Sequence, residues 1–154
     1  MKKTVLFILA IVMMFATVGA VTAEDKPLAG VVWYNFADTF IQNARQSLLN
    51  VAKADGTIEV TDADSNNDVA TQTNNINNIF AQGVQYFVLN NLNTAAISDI
   101  VNQAKAEGVT TIFANTDSPS DEDFANYEDL YLVTSRATES GTIMGEAVAK
   151  YWEE

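Results

Sequence analysis

The chain has 154 residues, no cysteine and no histidine, and 20 acidic against 8 basic side chains, for a formal charge of −12. Those absences exclude catalytic triads built on Cys or His and metal sites ligated by either. The negative surface repels phosphate backbones, so nucleic acid is not an expected partner.

The first segment reads as an address rather than as part of a fold. Lys2 and Lys3 begin it, an unbroken apolar run follows from Val5 to Phe15, and Val21, Thr22 and Ala23 precede Glu24 and Asp25. A basic start, a short apolar stretch and a small-x-Ala ending predict a secretory signal peptide, residues 1–23, cleaved after Ala23. A membrane anchor would need about 20 apolar residues, and this run is shorter. Loss of Lys2 and Lys3 leaves six basic residues against 20 acidic ones, a formal charge of −14, on a mature domain of residues 24–154. No later apolar segment is long enough to span a bilayer, and no cysteine follows the signal to carry a lipid. The expectation is a soluble periplasmic protein whose stability comes from packing, without disulfides.

From Ala29 onward short apolar runs alternate with helical patterns. Ala29 to Tyr34 predicts a first strand, and Asp38 to Ala54 repeats apolar residues at Phe40, Ala44, Leu48 and Val51 before Gly56 ends the helix. Thr57 to Thr61 predicts a second strand, with a polar loop over Asp62 to Asp68. The next helix places Val69, Ile76, Ile79 and Phe80 on one side and stops at Gly83. A third strand, Val84 to Leu89, leads through Asn90 to Thr94 into a helix that buries Ile97, Ile100, Val101 and Ala104 and closes at Gly108. Val109 to Ala114 predicts a fourth strand, Asp121 to Asp129 a short helical turn, and Leu130 to Val133 a fifth strand. A last helix, capped by Thr138, has Ile143, Met144, Ala147, Val148 and Tyr151 on one face.

Five strand–helix units with short connections predict an α/β three-layer sandwich: a parallel sheet covered on both faces. Right-handed crossovers favour the flavodoxin-like strand order 2-1-3-4-5. Ligands of such sheets bind beyond the carboxyl ends of the strands, where the winding direction reverses, between the first and third strands. The segments beginning at Asn35, Asn90 and Asn115 are therefore the ones that matter.

The first of these reads Asn35-Phe36-Ala37-Asp38-Thr39-Phe40. A carboxylate and an aromatic ring two residues apart suit a sugar: hydroxyls donate to the charged acceptor, and the C–H face of a pyranose packs on the ring. The same residues equally suit a helix cap at Asp38 followed by a first core residue at Phe40. Asn115 can serve a hydroxyl in both directions, as an amide both donates and accepts, or it can be an ordinary turn residue. Asn90 and Asn91 read as loop formers that support the rim behind the ligand. No glycine-rich phosphate loop follows the first strand. A receiver-type site would need an acid at Ala37 and a lysine near Thr134, and the catalytic groups of a hydrolase are missing.

The stretches Tyr34 to Phe40, Asp64-Ser65-Asn66-Asn67-Asp68, Gln82-Gly83-Val84, Phe113 to Asn115 and Glu139-Ser140-Gly141 with Gly145 together make the run from Val32 to Trp152 similar to a known family. It resembles the amino-terminal lobe of the bacterial galactose/glucose-binding proteins, which have the type I periplasmic binding fold. The resemblance implies the solute-binding component of a sugar ABC importer, not an enzyme. Its expected partners are a monosaccharide such as glucose or galactose, an ABC permease and a chemoreceptor. It also implies that Asp38 receives sugar hydroxyls, that Phe40 stacks on the ring and that Asn115 hydrogen-bonds the ligand. Ala37 departs from the family pattern, where an acid often stands. The family's second lobe and its calcium loop, which would begin shortly after Trp152, are expected to be missing, so no cofactor or metal is expected. Lobe closure buries the sugar in such proteins. A single lobe is therefore expected to bind weakly and to expose apolar surface, or else to act as an interaction half-protein that pairs with a separate second lobe or a chemoreceptor.

Overall fold

Strands and helices alternate along residues 26–153, the part of the chain that the computed structural model describes. The expected signal peptide, residues 1–23, lies outside the described residues. The elements are β1 (Leu28–Trp33), α1 (Thr39–Asp55), β2 (Glu59–Asp64), α2 (Val69–Phe80), β3 (Tyr86–Leu89), a 3-10 turn (Thr94–Ala96), α3 (Ile97–Glu107), β4 (Thr110–Ala114), α4 (Asp121–Asn126), β5 (Leu130–Val133) and α5 (Ala137–Glu153). All strands pair in parallel, in the order β2-β1-β3-β4-β5 that the alternation predicts.

Local chemistry sets the helix ends. Asp38 and Asp68 cap α1 and α2 by accepting from backbone amides, and Ser120 and Asp123 form a reciprocal capping box on α4. Gly56 and Gly108 close α1 and α3 in the left-handed conformation, with φ of 69° and 67°, where a side chain would be strained.

Period-2 alternation sorts the strand residues onto two faces. One face carries Val32, Phe87, Leu89, Phe113 and Leu130, buried beneath Ile76, Ile79, Phe80, Ile100 and Val101 of α2 and α3. At Gly30 a Cβ would stand 2.1 Å from Cγ2 of Ile79, so the missing side chain is what lets α2 lie this close to β1. On the other face, α1 sets Ile41, Ala44 and Leu48 against Val31, Trp33, Val60 and Val88. That cover stops short: Tyr86, Tyr131 and Val133 on β3 and β5 stay exposed on the α1 side.

Most element ends shift by one to three residues from the sequence expectation, and β2 shifts with a clear cause. β2 runs on to Asp64, through residues expected in a loop, because its carboxylates find partners. Asp62 pairs with Arg45 of α1, and Asp64 accepts from the amides of Phe36 (3.1 Å) and Asn66 (2.9 Å). The apolar face of α5 forms as expected but is left uncovered by the described residues, and every side chain from Ala137 to Trp152 is exposed among them. Helical spacing fixes which residues share a side, not what that side packs against.

Candidate functional site

Five parallel strands deliver their following loops to one end of the sheet, and the polar residues singled out above all stand there. At the end of β1, Asn35 accepts from the Ala37 amide (2.8 Å), which turns the chain toward α1. Asp38 follows as the N-cap: its Oδ1 accepts from the amides of Phe40 (2.8 Å) and Ile41 (3.0 Å). Its Oδ2 accepts from the hydroxyl of Tyr34. That hydroxyl, with the Ile41 amide, holds the Asp38 carboxyl below the usual carboxylate range; the same bond raises the Tyr34 phenol. The capping role of Asp38 is therefore real, and one oxygen is oriented by a neighbouring phenol as well.

Phe40 lies in the first turn of α1 and is 61% exposed, so it is not a core residue. It lines an apolar cleft of about 500 Å³ with Trp33, Ile41, Ala44 and Val133, and Asn115 lines the same cleft. Asn115 has φ of 50°, a left-handed conformation that asparagine tolerates better than most residues. Its amide donates to the carbonyl of Val133 (2.8 Å), which pins it to the end of β5.

Asn115, Thr134 and Ser135 also border a second, polar cleft of about 560 Å³, lined by Tyr34, Asn67, Asn90, Asn91 and Asp117. The end of the sheet thus carries an apolar and a polar hollow that meet at Asn115. The structure brings Phe40 and Asn115 to one cleft. Asp38 lines neither hollow and reaches the polar one through Tyr34.

Asn90 is 3% exposed and ties three strands together. Its Nδ2 donates to the carbonyls of Ala114 (3.0 Å) and Asn115 (2.9 Å), and its Oδ1 accepts from the Tyr34 amide at 3.5 Å. Its backbone carbonyl accepts from the buried Gln72 side chain (3.1 Å). Asn91 uses its carbonyl to accept from the Thr116 hydroxyl (3.1 Å). Both therefore hold the rim in place, as their loop position suggests. Sequence reasoning passed over Tyr34, Asn67 and Asp117 as site residues. The one available signal was the four-residue spacing from Tyr34 to Asp38, which puts the phenol within reach of the cap. Among the described residues no group of acidic side chains gathers as a metal site, and no helix is long and apolar enough to cross a membrane.

What such an end can hold follows from its parts. An exposed aromatic ring suits the C–H face of a small polyol, and the amide of Asn115 can both give and receive a hydrogen bond. The Asp38 carboxylate retains lone pairs for a hydroxyl beside Tyr34.

Comparison with known proteins agrees in kind. Residues 29–154 match the family described as the periplasmic binding protein domain. The D-galactose/methyl-galactoside binding periplasmic protein MglB of Haemophilus influenzae is 31% identical over 154 positions, spanning 99% of this chain and 46% of that protein. The chain thus spans about half the length of this curated relative. Among solved structures, a solute binding protein of an ABC transporter from Clostridium phytofermentans with bound β-D-glucose superposes with a TM-score of 0.69 at 23% identity, over 82% of this chain and 37% of that one. The Caulobacter myo-inositol binding protein gives 0.70 at 17% identity, over 88% and 44%. The periplasmic binding component of the arabinose transporter of Shewanella sp. ANA-3 gives 0.70 at 16%, over 82% and 40%. At these identities the structural matches establish the fold.

Proposed function

The chain belongs to the periplasmic binding protein family, and from that premise we propose that it is a sugar-recognising lobe of a solute-binding protein serving an ABC importer. Glucose or galactose is the expected ligand, in keeping with the D-galactose/methyl-galactoside binding relative. The observation that carries this reading is that the exposed Phe40 and Asn115 line one cleft, at the end of the sheet where the strand order reverses. Phe40 stacks on one face of the pyranose, Asn115 bridges two hydroxyls, and Asp38 receives a third through the oxygen it shares with Tyr34. Asn90 and Asn91 hold the backbone that carries them. With Ala37 where an acid often stands in the family, one charged hydroxyl acceptor is missing, which loosens selection between epimers. Secretion to the periplasm, a permease partner and a chemoreceptor partner belong to the same reading.

One lobe offers an open half-site. Hydrogen bonds to a sugar are strong when water is excluded, and on one lobe taken by itself one side of the ligand stays wet. Affinity in the millimolar range, about 4 kcal/mol, is expected for the 154-residue chain. Calorimetry and amide-shift titration with glucose, galactose, xylose and ribose test this. Shifts at Phe40 and Asn115 with at least one hexose support the reading, and neither heat nor shifts with any of the four removes it.

A further inference from the structure

The turn between β1 and α1, which carries Asp38 and leads to Phe40, is fastened from outside as well as capped from within. Arg45 stands one helical turn after the buried Ile41, and its guanidinium lies over the ring of Phe36, 4.1 Å from the centroid. Its Nε and Nη2 donate to the two carboxylate oxygens of Asp62 on β2, the latter bond at 3.3 Å. The amide of Phe36 donates to Oδ1 of Asp64, two residues further along the same strand (3.1 Å). All four residues are half-buried. Phe36 is thus held at its ring by a helix and at its backbone by a strand.

We propose that Arg45 is a positioning residue of the sugar site: by locking Phe36 it fixes the turn from Asn35 to Phe40, and with it the places of Asp38 and Phe40. The inference rests on the reading that those two side chains meet the ligand. Neither Arg45 nor Phe36 lines either hollow, so the effect on the sugar runs through its neighbours in the turn. Only Ala37 separates Phe36 from Asp38, and the Ala37 amide is already tied to the Asn35 side chain (2.8 Å). A shift of Phe36 therefore passes on to Asp38.

The chemistry of the side chain fits this role. A guanidinium can lie on an aromatic ring and grip a carboxylate with two donors at once, whereas a lysine ammonium is a point charge that cannot make the fork. Pairing with Asp62 alone would tie α1 to β2 and leave Phe36 free; the stack is what carries the rigidity of that pair into the turn. A turn fixed before the sugar arrives spares binding the ordering cost that a loose one would add.

Amide-shift titration of the full chain with galactose tests this, with urea unfolding beside it to establish that each variant is folded. Arg45→Met, which keeps the apolar stem and loses the charge, should bind about three- to tenfold more weakly, the range that a half-buried cation–π contact carries. Arg45→Lys should fall between it and the parent. Lys53→Met removes the same charge from the last turn of α1 and should bind like the parent. In a double-mutant cycle, Arg45→Met should cost less affinity on a Phe36→Leu background than on the parent. Unchanged affinity in Arg45→Met would overturn the proposal whatever happens to stability, since Arg45 would then be a structural tie only. Equal costs on the two backgrounds would overturn it as well, because the ring would not be carrying the effect. The lock can also be read without sugar: the carboxyl carbon midpoint of Asp38 should move up in Arg45→Met as its contacts to the Tyr34 hydroxyl and the Ile41 amide loosen. Should the parent bind no hexose, the sugar reading falls by itself, and an unmoved Asp38 midpoint would then overturn the lock too.

Discussion

The Tyr34 hydroxyl donates to Oδ2 of Asp38 while Oδ1 of the same carboxylate caps α1 through the amides of Phe40 and Ile41. One side chain therefore starts the helix that carries Phe40 and faces a phenol on the polar rim. Substitutions separate the two roles. Asp38→Ala removes the cap and should lower stability by about 1 kcal/mol. Asp38→Asn keeps a good capping oxygen and should be destabilised less than Asp38→Ala, losing only the charge that the Tyr34 hydroxyl and the backbone amides favour. Hexose affinity should fall in both variants. Urea unfolding beside amide-shift titration checks this, and an Asp38→Asn chain that binds like the parent would leave Asp38 a cap only.

The same pair predicts a pH signature. The Asp38 carboxyl is depressed in the fold, by the Tyr34 hydroxyl first and the Ile41 amide next. Its contribution is thus fully present above the unfolded value, about 4, and is lost as pH falls through the lower folded value. Tyr34 is raised by the same bond, so its contribution is present below about 10 and is lost as pH rises through the folded value. Tyr34→Phe should then differ from the parent by a constant amount across neutral pH, with the difference shrinking in acid. Carboxyl carbon shifts report the cause directly: the Asp38 midpoint should move up in Tyr34→Phe. An unmoved midpoint would mean that the backbone amides alone set it.

Asn90 is buried and its side chain satisfies two carbonyls on the far side of the switch point, those of Ala114 and Asn115. Asn90→Ala takes the donor from both carbonyls, which are half-buried at Ala114 and exposed at Asn115, and should cost about 1 kcal/mol. For a domain of this size that corresponds to a melting point lower by several degrees. Because the same bonds hold Asn115 in position, sugar affinity should fall too, even though Asn90 is set behind the rim. A melting curve unchanged from the parent would show that water replaces the amide.

Gly30 provides a test of the fold apart from the site. A methyl group there would meet Ile79 Cγ2 at 2.1 Å, and relief requires α2 to shift away from β1. Gly30→Ala should therefore destabilise by about 1–3 kcal/mol, as overpacked cores do. Pairing it with Ile79→Ala, which removes the Cγ2 that the new β-carbon would meet, should cost less in urea unfolding than the sum of the two single changes.

The order of strands was legible because it depends on pattern: apolar runs of strand length, helices of period 3.6, and short links leave one common winding. The position of the site followed from that winding. The roles within it were harder to read. Asp38 and Phe40 fit a cap and a core residue as well as a ligand pair, and only the exposure of the Phe40 ring argues against core. Asn90 looks like any turn residue until β4 is laid beside β3, when its amide meets carbonyls 24 and 25 residues further along the chain. Tyr34 is read as the end of a strand because nothing in the local sequence says that its hydroxyl reaches back over Asp38. Exposed apolar surface was expected of a single lobe, but that α5 would carry it was not legible, since an amphipathic pattern is blind to its partner.

Asn115 joins the two hollows, and its backbone and its side chain can be tested apart. With φ of 50° it sits where a β-carbon crowds the following carbonyl oxygen. Asparagine tolerates this, alanine does so at a cost of roughly 1–2 kcal/mol, and glycine at none. Asn115→Ala should therefore unfold at lower urea than the parent, while Asn115→Gly stays close to it. Both variants lose the amide, so both should lose hexose binding to the same degree. Equal stability in the two would show that the loop after β4 relaxes out of the left-handed conformation. Retained binding in Asn115→Gly would mean that the side chain does not touch the sugar, leaving Phe40 and Asp38 to hold it from the α1 side alone.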